Sequence, residues 1–331
     1  MRVLLSAAKE CEQVVLLRQS AESSGHLLTD DPGVADLILL LGHSSLEPEL
    51  LLRHPHYLAH PDKCAVYSDD DRYLPLVPGI QCSARNDRHS RVGRVFSWCY
   101  IAAFGQFSNP YIEATAESKT FLFSFQGGST SILRKRLYRC NFNRPDVLVE
   151  DTSIFHNWTL DQADRAVRQR RYADTIAASH FVLCPRGAGT GSIRLFEVMR
   201  AGVAPVLISD AYPLPPHVQW DTFLLRVAER DIKRLPELIE PHLPESAERG
   251  RRAREAWVNH FAPEKQFDAI VGLAAAALQH GPPIEAAFRR MQPRMIVAFN
   301  ARLKARGMLR SAVLKVLRFL HVRLPYRMRM P

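Results

Sequence analysis

Short apolar runs alternate with amphipathic stretches along most of the chain. Six runs are nearly continuous in apolar residues and end at turn-forming residues, a pattern that favours buried strands of a parallel sheet. They occupy residues 1–7, 36–42, 64–71, 120–129, 181–187 and 203–210. Helical spacing predicts helices at residues 10–24, 131–140, 160–178, 192–202, 235–240 and 263–280. Strands that alternate with helices predict an α/β fold with parallel sheets.

The alternating pattern falls into two halves that join near residues 150–165. We therefore predict two facing Rossmann-like domains, residues 1–160 and 161–281, followed by a basic helical tail at residues 282–331. Ligands of such folds bind at the carboxyl ends of the strands. The strand ends predicted to line one cleft are Gly42-His43, Asp69–Asp71, Gln126–Gly128 and Arg186–Ser192.

The stretch FVLCPRGAGTGSIRLFEVMRAG, at residues 181–202, combines a strand, a glycine-rich loop and a helix. Ser192 is a good N-cap, and Gly202 suits the position after the helix end. The backbone N–H groups of such a loop and the positive end of the helix dipole favour a phosphate-bearing ligand. The loop matches neither the dinucleotide-binding fingerprint nor the P-loop. A tight turn before a packing helix explains the same composition equally well.

The net charge of +10 is concentrated in the tail. From Pro282 onward there are twelve lysines or arginines and one acid, which leaves a net charge of −1 on the preceding residues. We therefore expect no nucleic-acid partner for the core. An apolar stripe in the tail predicts either an amphipathic helix at an anionic membrane surface or a helix that braces the N-terminal domain. The stripe consists of Leu309, Val313, Val316, Leu317 and Leu320.

The cysteine pattern and the N-terminus predict a cytoplasmic protein. None of the six cysteines forms a CxxC pair, which favours reduced structural thiols over a disulfide framework. The first residues do not resemble a signal peptide, and no run of about 18 apolar residues predicts a transmembrane helix. If the tail binds lipid, the protein would be peripheral at the inner face of a membrane.

The C-terminal half resembles the exostosin family of glycosyltransferases. The motifs are an apolar strand, C-P-R-G, further glycines, S-x-R-L-F-E, G-x-x-P-V, an aspartate, L-P and a tryptophan, all between Phe181 and Trp220. In the N-terminal half, VYSDDDRYLPLVPGI and FLFSFQGG…RKRL are similar to family segments. The resemblance implies a GT-B fold, with the donor in the C-terminal domain and the acceptor mainly in the N-terminal one.

The same resemblance implies an inverting transferase that moves a sugar from a nucleotide-sugar, taken here as a UDP-sugar, to a glycan acceptor. It implies no bound metal or other cofactor. Without a membrane anchor the chain looks like a bacterial-type, cytoplasmic member that makes cell-surface or exported polysaccharide. Two alternatives stay open: a retaining GT-B transferase, and a catalytically silent nucleotide-sugar-binding subunit of a glycan polymerase complex.

The predicted donor site lies on the glycine-rich loop and its helix. Arg194 and Glu197 are three residues apart and share one helix face. Guanidinium and backbone N–H groups would stabilise the leaving diphosphate, and a carboxylate would accept hydrogen bonds from the ribose. A surface Arg–Glu pair is the alternative. The predicted donor-binding residues are Arg186, Gly187, Gly189, Thr190, Gly191, Ser192, Arg194 and Glu197.

An inverting transfer also needs a base for the acceptor hydroxyl. Asp70, His43 and His156 are the candidates, because the first two lie at predicted strand ends and the third lies near the domain junction. The acids Asp69–Asp71 formally contain a D-x-D motif that could bind a metal. We predict instead that they form a solvated turn that caps a helix.

Overall fold

Eleven strands are described in two parallel sheets, one for each half of the chain. The computed structural model describes residues 1–7, 11–42, 54–71, 73, 78–105, 108–113, 118–153 and 162–279. The first sheet has the strand order β2-β1-β3-β4-β5-β6, and all its strand pairs are parallel. Its strands are β1 (Arg2–Ala7), β2 (Leu27–Leu28), β3 (Leu37–Gly42), β4 (Cys64–Ser68), β5 (Gly79–Gln81) and β6 (Val95–Phe96).

The second sheet has the order β11-β10-β9-β7-β8 and is also parallel throughout. Its strands are β7 (Phe121–Gly127), β8 (Val147–Asp151), β9 (Ser179–Pro185), β10 (Ala204–Ile208) and β11 (Leu225–Arg226). The chain runs from β7 to β8 on one side and then returns to β9 on the other. This reversal is a topological switch point, where parallel sheets open a crevice for ligands.

Nine α-helices in the described ranges cover these sheets. They are α1 (Glu12–Ala21), α2 (Pro55–Ala59), α3 (Arg88–Arg91), α4 (Ile132–Leu137), α5 (Gln162–Ala177), α6 (Ile193–Arg200), α7 (Leu235–Ile239), α8 (Ser246–Ala256) and α9 (Gln266–Gln279). Two units, each with a parallel sheet and helices, agree with the predicted α/β architecture, and the main helices and buried strands lie within a few residues of their predicted positions.

The change from one sheet to the other occurs earlier than the predicted domain boundary at residue 160. β7 and β8 pair with β9 in the second sheet, so the change falls between β6 and β7. The last helix, α9, packs on α1, β4 and β5 of the first unit. Both differences have the same origin, because pairing and packing partners far apart in sequence are not encoded in local periodicity.

The two units share one hydrophobic core. The main buried cluster includes Leu37 and Trp98 from the first unit together with Val182 and Phe196 from the second. Phe261 lies between them, with its ring centroid 4.9 Å from Trp98 and 5.0 Å from Phe196. Burial of this many apolar side chains across the junction supplies the main force that holds the units together.

Three predicted features lie outside the described residues: His43, His156 and the tail at residues 282–331. The membrane-contact and brace interpretations of the tail therefore stay predictions. In the described ranges, no helix has both the length and the apolar character needed to cross a bilayer.

Candidate functional site

A cavity of about 540 Å³ opens at the carboxyl ends of β7 and β8, beside the N-terminus of α6. This is the switch point of the second sheet. Side chains from α4 and α5 also line it, including Arg134 and Tyr172. Of the predicted donor-binding residues, Arg194 and Glu197 line this cavity.

Arg194 is held deep in the cavity wall. It is 8% exposed, and its Nε donates to the Tyr172 hydroxyl at 2.9 Å. Its Nη2 donates to the backbone carbonyl of Gln126, and its Cζ lies 4.4 Å from the ring centroid of Phe125. A Cβ on Gly127 would come within 2.9 Å of that Nη2, so the glycine makes room for the guanidinium.

A second guanidinium, that of Arg134, lies on the same aromatic ring. Its Cζ is 5.4 Å from the Phe125 centroid. Its three nitrogens donate to the backbone carbonyls of Arg186, Gly128 and Pro185 at 3.1–3.2 Å. No role was predicted for Arg134, although it belongs to the RKRL run that carries the family resemblance. The signal available in the sequence was a basic helix directly after a strand that ends in glycines.

The cavity carries an excess of positive charge. Four of its lining residues are arginines and two are glutamates, which gives two surplus positive charges. One glutamate, Glu150, already pairs with Arg171 at 2.9 Å. Burial, and then the charge of Arg194, lower the pKa of Arg134 to about 10, so it remains a cation at neutral pH. An anionic ligand would relieve this repulsion.

Glu197 is linked to Arg194 through a tyrosine and not by direct contact on a solvated surface. The Tyr172 hydroxyl donates to Glu197 Oε2 at 2.7 Å and accepts from Arg194. Both charged residues line the cavity. The alternative of a surface Arg–Glu pair is therefore wrong.

The glycine-rich loop docks on the first unit and does not line the cavity. Gly189 N–H donates to Asp71 Oδ1 at 3.1 Å, and the Thr190 hydroxyl donates to the Ala84 carbonyl at 2.6 Å. A Cβ on Gly191 would collide with the carbonyl oxygen of Cys82. In this arrangement the glycines allow close contact between the units, the packing role that the sequence also permitted.

The other predicted loop residues, Arg186, Gly187 and Ser192, each have a different environment. Gly187 lies near Arg134, since a Cβ there would be 3.6 Å from Arg134 Nη2. Ser192 is the N-cap of α6 by backbone conformation, but its side chain makes no capping hydrogen bond. The Arg186 guanidinium forms a two-bond ion pair with Glu229, at 2.7 and 3.1 Å. Its side chain is therefore committed to that carboxylate, while its carbonyl supports Arg134.

The acids after β4 form a solvated turn only in part, since Asp71 alone of the three is exposed. Asp69 and Asp70 are buried, and Asp69 accepts from Gln13 Nε2 at 2.8 Å. Although Asp71 is exposed as a residue, partial desolvation of its carboxyl group raises its pKa, and the hydrogen bond from Gly189 opposes that shift. In the described ranges no group of three or more His, Cys, Asp or Glu side chains is placed to hold a metal ion. Asp70 as a base stays a prediction, as does the absence of a metal.

Comparison with known proteins agrees with the sequence motifs. Residues 81–241 match the model of the exostosin GT47 domain. An exostosin-1 homolog from Caenorhabditis elegans is 31% identical over 155 residues, which are 44% of this chain and 38% of that protein. A probable glucuronoxylan glucuronosyltransferase, IRX7, from Arabidopsis thaliana is 39% identical over 93 residues, 27% of this chain and 21% of that protein. The chain thus spans well under half the length of these relatives.

Solved structures with a similar arrangement are distant. An α1,3-fucosyltransferase superposes with a TM-score of 0.37 and 11% identity, over 84% of this chain and 90% of that one. TarM superposes with a TM-score of 0.38 and 8% identity, over 80% of this chain and 59% of that one. The informative similarity is therefore the match of residues 81–241 to the exostosin GT47 domain model.

Proposed function

We propose that the chain is a glycosyltransferase that moves a sugar from a nucleotide-sugar donor to a hydroxyl group of a glycan acceptor. The observation that carries this proposal is the pair of guanidinium groups, Arg134 and Arg194, on one aromatic ring in the wall of a cavity at the switch point. The exostosin GT47 match supports the same activity.

In this proposal the two arginines bind the diphosphate of the donor. Bond cleavage leaves a nucleoside diphosphate with increased negative charge, and guanidinium groups already fixed at the site stabilise that charge without rearrangement. Arg194 is fixed by the Tyr172 hydroxyl and the Gln126 carbonyl, and Arg134 by three carbonyls. Since the protein supplies this positive charge itself, we propose a metal-independent reaction.

Glu197 is the residue we assign to the ribose. Its Oε2 is occupied by Tyr172, which leaves Oε1 to accept from a ribose hydroxyl. A UDP-sugar is the proposed donor, and the reaction is proposed to invert the anomeric centre. The candidate bases stay those predicted from the sequence: Asp70, which follows β4 of the first unit, together with His43 and His156. Polysaccharide synthesis in the cytoplasm, with membrane contact through the tail, remains the proposed setting.

The test uses the purified full chain and a pair of matched variants. Arg134→Gln removes a cavity guanidinium. Arg254→Gln is the control, because Arg254 also lies over an aromatic ring, at 4.9 Å from the Trp257 centroid, and also donates to a carbonyl, but outside the cavity. UDP affinity is measured by calorimetry, and transfer is measured with a panel of nucleotide-sugars in excess EDTA.

We expect Arg134→Gln to slow transfer by about a hundredfold or more, as for loss of one group that stabilises a developing negative charge. The control should behave like the wild type, and EDTA should have no effect. UDP binding without turnover of any donor would contradict the transferase and favour the silent subunit. Binding of no nucleoside diphosphate would contradict the donor site itself.

A further inference from the structure

One hydroxyl group joins the two residues assigned to the donor. Tyr172 lies on α5, a helix separate from the one that carries Arg194 and Glu197. Its oxygen is 2.9 Å from Arg194 Nε and 2.7 Å from Glu197 Oε2. The Arg194 Cζ also lies 5.4 Å from the centre of the tyrosine ring. No local pattern in the sequence indicates that α5 reaches this site.

The direction of both hydrogen bonds follows from the groups involved. A guanidinium can only donate, so the tyrosine oxygen accepts from Arg194 Nε. A tyrosine has one hydroxyl proton, which is then directed to the Glu197 carboxylate. Burial raises the pKa of Tyr172 well above its ordinary value, so this proton is retained at any pH in which the protein would work. The hydroxyl thus fixes both partners in one orientation.

This fixation determines which atoms of the two residues remain for a ligand. With Nε on Tyr172 and Nη2 on the Gln126 carbonyl, Arg194 is left with Nη1, which is buried and has no hydrogen-bond partner among the described residues. Glu197 uses Oε2 for the tyrosine. The unused atoms are therefore one cationic donor and one anionic acceptor, on adjacent turns of α6.

We infer that Tyr172 is a positioning residue for the nucleotide site: it acts through Arg194 and Glu197, directing one toward phosphate and the other toward the ribose. The inference rests on the proposed function for the identity of the ligand. It does not make Tyr172 a catalytic residue, since the hydroxyl has no free proton and no free charge to contribute.

The experiment compares Tyr172→Phe with Tyr67→Phe. Tyr67 is a comparable control, because its buried hydroxyl also both donates and accepts: it donates to the Cys99 carbonyl at 2.8 Å and accepts from Ile101 N–H at 2.9 Å. Cys82 Sγ is a third, longer contact at 3.4 Å. Tyr67 lies on β4 of the first sheet and not in the cavity. Three quantities are measured on the full chain: UDP affinity by calorimetry, the melting temperature, and the Nε–H resonance of Arg194, assigned by its loss in Arg194→Lys.

We expect both variants to lower the melting temperature to a similar extent. Only Tyr172→Phe should shift the Arg194 Nε–H signal and speed its exchange with water, and only this variant should weaken UDP binding, by about tenfold or more, because hydrogen bonds to charged groups are the stronger kind. Both changes are required. Unchanged UDP affinity would overturn the inference, and so would an unchanged Arg194 signal.

A separate result would identify failure of the proposed function. If the wild type binds no nucleoside diphosphate, both the proposed function and the assignment of UDP as the ligand are wrong. The Arg194 Nε–H signal would still decide whether the Tyr172 hydroxyl orients that side chain, since this measurement needs no ligand.

Discussion

Two guanidinium groups share one phenylalanine ring at the centre of the site. A ring face attracts a cation, but two like charges held this close also repel each other. The lowered pKa of Arg134 reflects burial first and the charge of Arg194 second. An anion bound beside both groups would replace this repulsion by charge-assisted hydrogen bonds.

The role assigned to Glu197 makes a prediction that separates ribose from phosphate. Glu197→Gln should weaken UDP binding by about tenfold, because an amide oxygen is a weaker acceptor for ribose hydroxyls than a carboxylate. The same change should leave pyrophosphate binding unchanged or make it stronger, because it removes a negative charge next to Arg194. Calorimetric titrations with UDP and with inorganic pyrophosphate measure both. Equal losses for the two ligands would show that Glu197 does not contact the ribose.

Among the elements, the glycine-rich loop acts as a junction between the two units. Its contacts reach Asp71 and Ala84 of the first unit. Close approach of two backbones leaves no room for a side chain, which explains the glycines there without a phosphate. The helix after the loop, α6, still presents Arg194 and Glu197 to the cavity, so the motif packs the two units together at its start and lines the cavity further on.

The junction predicts different costs for alanine at two loop glycines. In Gly191→Ala the new methyl group would collide with the Cys82 carbonyl oxygen and lie 2.8 Å from the Tyr100 hydroxyl. We expect a loss of about 1–3 kcal/mol in the free energy of unfolding, typical of overpacking. In Gly187→Ala the nearest atom, Thr130 Oγ1, is 3.4 Å away, so the loss should be clearly smaller. Urea denaturation of both variants provides the comparison, and equal losses would contradict a packing role for Gly191.

At the scale of the whole molecule, the two sheets are tied into one body. The main core cluster includes residues of both units, and α9 returns from the second unit to pack on the first. Gln266, at the start of α9, accepts from Trp98 Nε1 at 2.8 Å. The predicted domain of residues 161–281 is therefore not one unit in space, because its last helix packs on the first unit.

A shared core predicts cooperative unfolding. Heating the chain should give a single calorimetric transition whose calorimetric and van't Hoff enthalpies agree, because neither unit can lose its packing without exposing the apolar surface of the other. Differential scanning calorimetry measures this directly. Two separate transitions, with the ligand raising only one of their melting temperatures, would show that the units are energetically independent.

The sequence by itself determined the elements and the family motif. Buried strands such as β3 and β9 are continuous apolar runs, and helix α6 has an apolar periodicity that is readable without a structure. The short strand β5 and the half-exposed strand β8 were missed, because neither forms a continuous apolar run of sufficient length. Arg194 and Glu197 were identified as site residues because their spacing on one helix is a local property.

Only the tertiary structure decided which distant residues meet. Arg134 lies near Arg194 because β7 pairs with β9, which are far apart in the sequence. The same pairing places β7 in the second sheet, so the change of sheet occurs before residue 160. The Arg186 side chain does not line the cavity, because it pairs with Glu229, which lies 43 residues further along the chain. Local periodicity reports how one segment buries its own apolar face. It contains no information on the partner that a charged side chain reaches after folding, and for that reason the cavity-lining residues beyond α6 could not be predicted from the sequence.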